Sequence, residues 1–169
     1  LTLLIESTFV WIVCRASLTK IKSCHQKKNT NQFSIHTLVS HMDVPFYIIG
    51  IYSFLRYLSK NPKLIIYDDG TLTKEDCLAI LDIPRVSIVR PSQASRRAIK
   101  TFGKINDLLR QRESTPYNRK MIDVLLYKEN NKKLLLLYSD VVFFRYPDAL
   151  LKFLADSSKQ IDMTYMKDV

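Results

Sequence analysis

The chain has 169 residues, of which 47% are hydrophobic and 25% charged, a balance that fits one globular domain with a sizeable core and no repeats or low-complexity segments. With 26 Lys and Arg against 16 Asp and Glu the net charge is +10, which favours a polyanionic partner: nucleic acid, an acidic membrane surface or a phosphorylated ligand. Cys14, Cys24 and Cys77 have neither the density of a disulfide framework nor the spacing of zinc ligands, so structural thiols in a reducing, cytoplasmic setting are expected.

Residues 1 to about 23 are apolar and then basic. No apolar run there reaches the ~18 residues that span a bilayer. Glu6 interrupts the longest, and neither a basic lead-in nor a cleavage pattern accompanies it, so the segment reads as a packed helix with at most peripheral contact to an acidic membrane. A Lys- and Asn-rich connection follows to Gln32, which sets a segment 1–32 apart from a domain 33–169.

Phe33 to Ser40 alternates apolar and polar residues and reads as the first strand, with His36 and His41 as structural histidines. Asp43 and Pro45 open an apolar helix to about Ser59. A second strand, Lys63 to Tyr67, runs into Asp68-Asp69-Gly70-Thr71. By itself that step is equally a plain turn and a ligand-reading tip, because an ionised carboxylate only accepts hydrogen bonds and glycine lets the backbone turn beneath a ligand. Thr73 and Asp76 form a capping box for a helix ending near Pro84, and Val86 to Val89 is a third strand.

One long amphipathic helix is expected from Ser95 to about Arg112, with Ala98, Ile99, Phe102, Ile105 and Leu109 inward, and another from Asn118 to Tyr127. Lys132 to Asp148 then carries four consecutive leucines, Leu134 to Leu137, which read as a strand buried on both faces, with Asp140 at its carboxyl end. A short helix, Ala149 to Ala155, and a strand, Ile161 to Met166, close the sequence. Alternating strands and helices predict an α/β fold of three layers, α/β/α, around a Rossmann-like, mostly parallel sheet. Ligands of such sheets bind outside the carboxyl ends of the strands.

Two steps carry a family resemblance. Leu-Leu-Leu-Leu-Tyr138-Ser139-Asp140-Val-Val-Phe-Phe is similar to the metal-binding Asp-x-Asp segment of GT-A-fold glycosyltransferases, including the glycogenin-like ones, with Tyr138 at the first carboxylate. Asp68-Asp69-Gly70-Thr71 resembles their Asp-Asp-Gly-Ser step after the second strand. The resemblance spans about Phe33 to Leu150 and implies a GT-A-type domain whose acceptor half lies beyond this sequence. It also implies transfer of a sugar from a nucleotide diphosphate donor, UDP-type, to an unknown acceptor. Thr37, Val39, Ser40, Asp68, Asp69, Tyr138 and Ser139 would then contact the nucleotide, Lys120 the donor phosphate or sugar, and Asp140 a Mn²⁺ or Mg²⁺ ion bridging the diphosphate. A phenol with a pKa of about 10 is a poor ligand for a hard cation, so Tyr138 weakens that metal or leaves the nucleotide to cations such as Lys120. No general base can be named. Three alternatives compete: an inactive relative; a basic α/β module for nucleic acid or an acidic partner, without a recognised nucleic-acid motif; and a receiver-type domain with Asp68-Asp69 as its acidic pocket.

Overall fold

The computed structural model describes residues 33–59, 61–103, 105–128 and 133–155. The expected N-terminal helix, the connection to Gln32 and the 161–166 strand lie outside them. Four strands form one sheet: β1 (Phe33–Val39), β2 (Lys63–Asp68), β3 (Val86–Val89) and β4 (Lys133–Leu136). All pairings are parallel and the order is β3-β2-β1-β4. β1, first in sequence, therefore lies inside the sheet, and the chain builds outwards from it on both sides.

Strand residues alternate between two helical layers, as the period of two requires. Ile35, Val39, Leu64, Ile66 and Leu137 face one layer, made by α1 (Val44–Leu55), α2 (Lys74–Leu81) and α6 (Asp148–Ala155). The apolar wall of α1 supplies Tyr47, Ile48, Ile51, Phe54 and Leu55 to this core. Ile65, Tyr67, Val89, Leu38, Leu134 and Leu136 face the other, which holds α3 (Pro91–Phe102), α4 (Asn106–Ser114) and α5 (Pro116–Tyr127). The expected three-layer α/β/α architecture is thus present. Leu134 to Leu136 do form the strand and Leu137 follows it, but β4 pairs on one side only among the described residues, so Leu134 to Leu136 are half-buried rather than sealed.

Two local expectations need correction. The single helix from Ser95 to Arg112 is two helices, broken after Phe102, where Gly103 caps the first. Glycine costs about 1 kcal/mol in a helix interior. Ile99 and Ile105, expected inward, are exposed, whereas Ala98 is fully buried. Asp43, expected to cap α1, instead accepts the Ser40 amide (3.2 Å) and hydroxyl (2.7 Å), closing the 3-10 turn His41–Asp43 that precedes the helix. The capping box at α2 forms as expected: Thr73 Oγ1 accepts the Asp76 amide, and Asp76 accepts the Thr73 amide and hydroxyl.

The second layer is unusually polar. Arg112, 1% exposed, donates to both oxygens of buried Asp123 (2.6 and 3.0 Å) and to Ser95, tying α4 to α5 and α3. Beneath them the Ser34 hydroxyl, the His36 ring and the Tyr67 phenol form a buried chain with 2.8 Å links. Burial drives the Tyr67 phenol far above its ordinary pKa, so it remains a neutral hydrogen-bonding group.

Removing one member of a buried ion pair leaves an uncompensated charge, which costs about 3–5 kcal/mol, whereas replacing both by apolar groups is often neutral. Arg112→Met is accordingly expected to lower the urea-unfolding free energy by about that amount, and Arg112→Met/Asp123→Leu to recover most of it. Equal losses in both variants would show that packing volume, not charge pairing, holds α4 on α5.

Candidate functional site at the carboxyl rim

Because all four strands run the same way, the segments that follow them meet at one rim of the sheet. Those after β1 and β4 are neighbours, and here the order of connection reverses. Such a reversal of strand order is where open α/β sheets bind ligands, although here both connections go on to the same layer, α1 after β1 and α6 after β4. Tyr138, Ser139 and Asp140 leave β4 at this place, and Ser40 and His41 leave β1 beside them.

The β4 exit is held from both layers. On the α1 side, Gly50, Ser53, Phe54 and Tyr57 follow the i, i+3, i+4, i+7 spacing of one helical stripe, continued past the helix end. A Cβ on Gly50 would stand 2.5 Å from the Val141 carbonyl oxygen, so only glycine lets the exit pass this close. The Phe143 amide donates to Ser53 Oγ (2.8 Å), the Phe54 and Phe143 rings pack at 4.7 Å, and Tyr57 meets Tyr146 edge-on at 5.6 Å. Arg56 donates to the carbonyls of Phe143 (2.9 Å) and Phe144 (3.3 Å).

From the opposite layer, the Lys120 ammonium lies 3.6 Å from the centre of the Tyr138 ring. Leu136 is level with His36, which places Tyr138 level with Leu38 and hence with Tyr67, two strands away. The last turn of α5 reaches that point, with the Tyr127 ring 5.7 Å from Tyr67. Seven helical residues advance about 10.5 Å, roughly two interstrand spacings. Through these side chains α5 reaches both the end of β2 and the β4 exit.

Lys120 is 4% exposed, yet its ammonium makes no ion pair or hydrogen bond with any described residue. Burial pulls its pKa below the ordinary lysine value, while the Asp140 carboxylate, close enough to be felt, acts in the opposite direction. A desolvated cation on an aromatic face gains about 2 kcal/mol, less than a buried charge loses. Lys120 is therefore a cation short of an anion. Tyr138 is 54% exposed and Asp140 is also exposed, so the place where an anion would sit opens to solvent.

The remaining sequence-derived residues divide sharply. Asp68 is 5% exposed and both its oxygens are engaged: Oδ1 accepts the Gly70 and Leu72 amides, and Oδ2 accepts Arg90 at 2.7 Å. It is the keystone of a turn in which Gly70 takes φ +108°, a conformation favouring glycine. Asp69 is partly exposed, with Oδ1 accepting the Thr71 amide and hydroxyl. The turn is sewn to the β1 exit, since Thr71 Oγ1 accepts the His41 amide (2.8 Å) and His41 Nδ1 lies 2.7 Å from Asp76. Thr37 and Val39 are fully buried on the α1 side of β1, so their side chains do not reach the rim; Ser40 does, with its hydroxyl donated to Asp43.

The donor set does not fit a Mn²⁺ or Mg²⁺ site built by the described residues. No group of three or more His, Cys, Asp or Glu converges among them. Asp140 stands next to a phenol instead of a second carboxylate, and a lysine ammonium already occupies the face of that phenol.

Gly50, Ser53 and Arg90 were invisible as site-builders in the sequence, although a lone glycine in an otherwise apolar helix is a signal of close approach. No family model, curated protein or solved structure matches the chain.

Overpacking a tight contact costs typically about 1–3 kcal/mol. Gly50→Ala is expected to destabilise the protein by that amount and to shift the backbone resonances of Ser139 to Phe143 while leaving those of β2 and β3 in place. A variant as stable as the parent would mean that the β4 exit does not rest on α1.

Proposed function

We propose that this chain binds a nucleotide diphosphate sugar of UDP type at the β1–β4 rim and belongs in mechanism with glycosyltransferases of GT-A type. The observation that carries the reading is the buried, unpaired Lys120 ammonium held on Tyr138 where the strand order reverses. A diphosphate supplies the missing negative charge, and a compact ammonium suits it as a point charge. The exposed aromatic face of Tyr138 suits a ribose or base. The Asp68 to Thr71 turn lies at the same rim across β1, about two interstrand spacings from the β4 exit. Asp69, rather than the sealed Asp68, is the carboxylate available there to accept an imide N–H.

In the proposed reaction the bond between the sugar's anomeric carbon and the β-phosphate oxygen breaks, and a new bond forms to an acceptor hydroxyl oxygen. The electron pair leaves with the nucleoside diphosphate, and the acceptor proton passes to a base. Lys120 acts on the leaving group, where charge develops and fixed charges contribute most.

A second reading has its own support. Gln93, Arg96, Arg97, Lys100 and Thr101 line an open groove of about 630 Å³ on α3, a helix with no acidic residue, which suits an acidic macromolecule bound without chemistry.

A ligand at 100 times its dissociation constant stabilises the folded state by about 2.7 kcal/mol. UDP, UDP-sugars and other nucleoside diphosphates are therefore compared by thermal unfolding. The expected result is a saturable rise with uridine diphosphates that survives 0.3 M salt in part. Stabilisation by oligonucleotides of any sequence, falling steeply with salt, and none by nucleoside diphosphates, would favour the acidic-partner reading instead.

A further inference from the structure

We propose that the Lys120 ammonium is itself the resident cation of this site, so that diphosphates bind without a divalent metal and Asp140 opposes their binding. This inference rests on the nucleotide-diphosphate reading above and concerns how that ligand's charge is met. In a metal-assisted site the carboxylate serves the ligand indirectly: it holds a doubly charged ion, and that ion neutralises the diphosphate. Here the positive charge comes first. Lys120 is positioned by its place on α5, by burial and by the Tyr138 ring, all before any ligand arrives. A metal held by Tyr138 and Asp140 would stand close to that ammonium and meet only one carboxylate among the described residues.

The consequence is a reversal of sign at one residue. Lys120 and Asp140 together carry no net charge, and Asp140 is exposed beside the place where the diphosphate would lie. If a metal mediates binding, losing the Asp140 carboxylate removes the metal and the ligand with it. If Lys120 mediates binding, losing that carboxylate removes a repulsion and leaves the lysine's charge to the ligand. Tyr138 acquires a definite part as well: its ring is the surface on which the cation rests.

The test is calorimetric titration of UDP and of inorganic pyrophosphate at constant ionic strength, in EDTA and in MnCl₂, on the parent, Lys120→Met, Lys120→Arg and Asp140→Asn. The expected result is equal affinity in EDTA and MnCl₂, and binding weakened by at least about 30-fold in Lys120→Met, as for truncating one partner of a desolvated charge pair. Lys120→Arg should retain binding, since a guanidinium also rests on an aromatic face. Asp140→Asn should bind as tightly as the parent or up to roughly tenfold tighter. Methionine fills the lysine's place against the ring without a buried charge, so Lys120→Met is also expected to melt no lower than the parent.

Binding that appears only with MnCl₂, or that vanishes in Asp140→Asn, overturns the inference while leaving the nucleotide reading intact. Pyrophosphate bound in EDTA through Lys120, with UDP no tighter than pyrophosphate, sustains the inference and removes the nucleotide reading. Failure of both ligands under every condition overturns both.

Discussion

Parallel pairing of β1 on both of its edges is the constraint from which the rest of the structure follows. Once β2 and β4 both run parallel to β1, and β3 parallel to β2, every strand exit lies at one rim, with the exits of β1 and β4 side by side where the strand order reverses. That juxtaposition is a product of topology, not of any particular side chain. The burial pattern enforces the topology: β1 and β2 are sealed on both faces, which only a sheet covered by helices on each side permits. The right number of apolar residues would not suffice. They must alternate in register across all four strands, and Ile35, Leu64, Ile88 and Leu135 facing one layer while Leu38, Tyr67, Val89 and Leu136 face the other show that they do.

Against that frame, the two helical layers divide the labour. The α1 layer is apolar and fixes the backbone: Gly50, Ser53 and Phe54 set the path of the β4 exit through steric fit, one hydrogen bond and one ring contact. The other layer carries the charge. Arg112 is spent on Asp123, which holds the helices together, and Arg97 rests on the Tyr127 ring at 4.3 Å. Lys120 is left for a ligand, because among the described residues no carboxylate pairs with it directly and the Tyr138 ring stabilises but does not neutralise it. Rigid backbone from one side and an unmet charge from the other is a reasonable way to build an anion site at low cost in conformational entropy.

Much of this was legible in the sequence, for identifiable reasons. Strand periodicity placed β1, β2 and β3 to within a residue, and turn chemistry placed the Asp68 to Thr71 step and the Thr73 capping box. Lys120 could be singled out by its distance from Asp140. The sequence did not disclose that the helix after β3 breaks at Gly103, because an amphipathic pattern continues through the break. Nor did it separate the two aspartates of the turn. Which of Asp68 and Asp69 faces inward depends on Arg90, 22 residues away along the chain from Asp68, reaching back across the rim. Thr37 and Val39 were matched by position along the strand, but their face was set by the register of β1 against β2, which alternation alone leaves two ways open. Arg112 looked like one more surface charge in a basic run, and only tertiary packing reveals it as the most enclosed cation of the described residues.

The most direct measurement of the central claim, a ligand-seeking ammonium fixed on Tyr138, is the ¹H–¹³C spectrum of the lysine ε-methylenes in selectively labelled protein. One resonance moved upfield by the ring current should rejoin the others in Tyr138→Ala and should shift when UDP is added, unlike that of Lys133, whose ammonium lies 4.7 Å from the centre of the Phe153 ring. Lysine signals unaltered by Tyr138→Ala and by UDP would contradict the account.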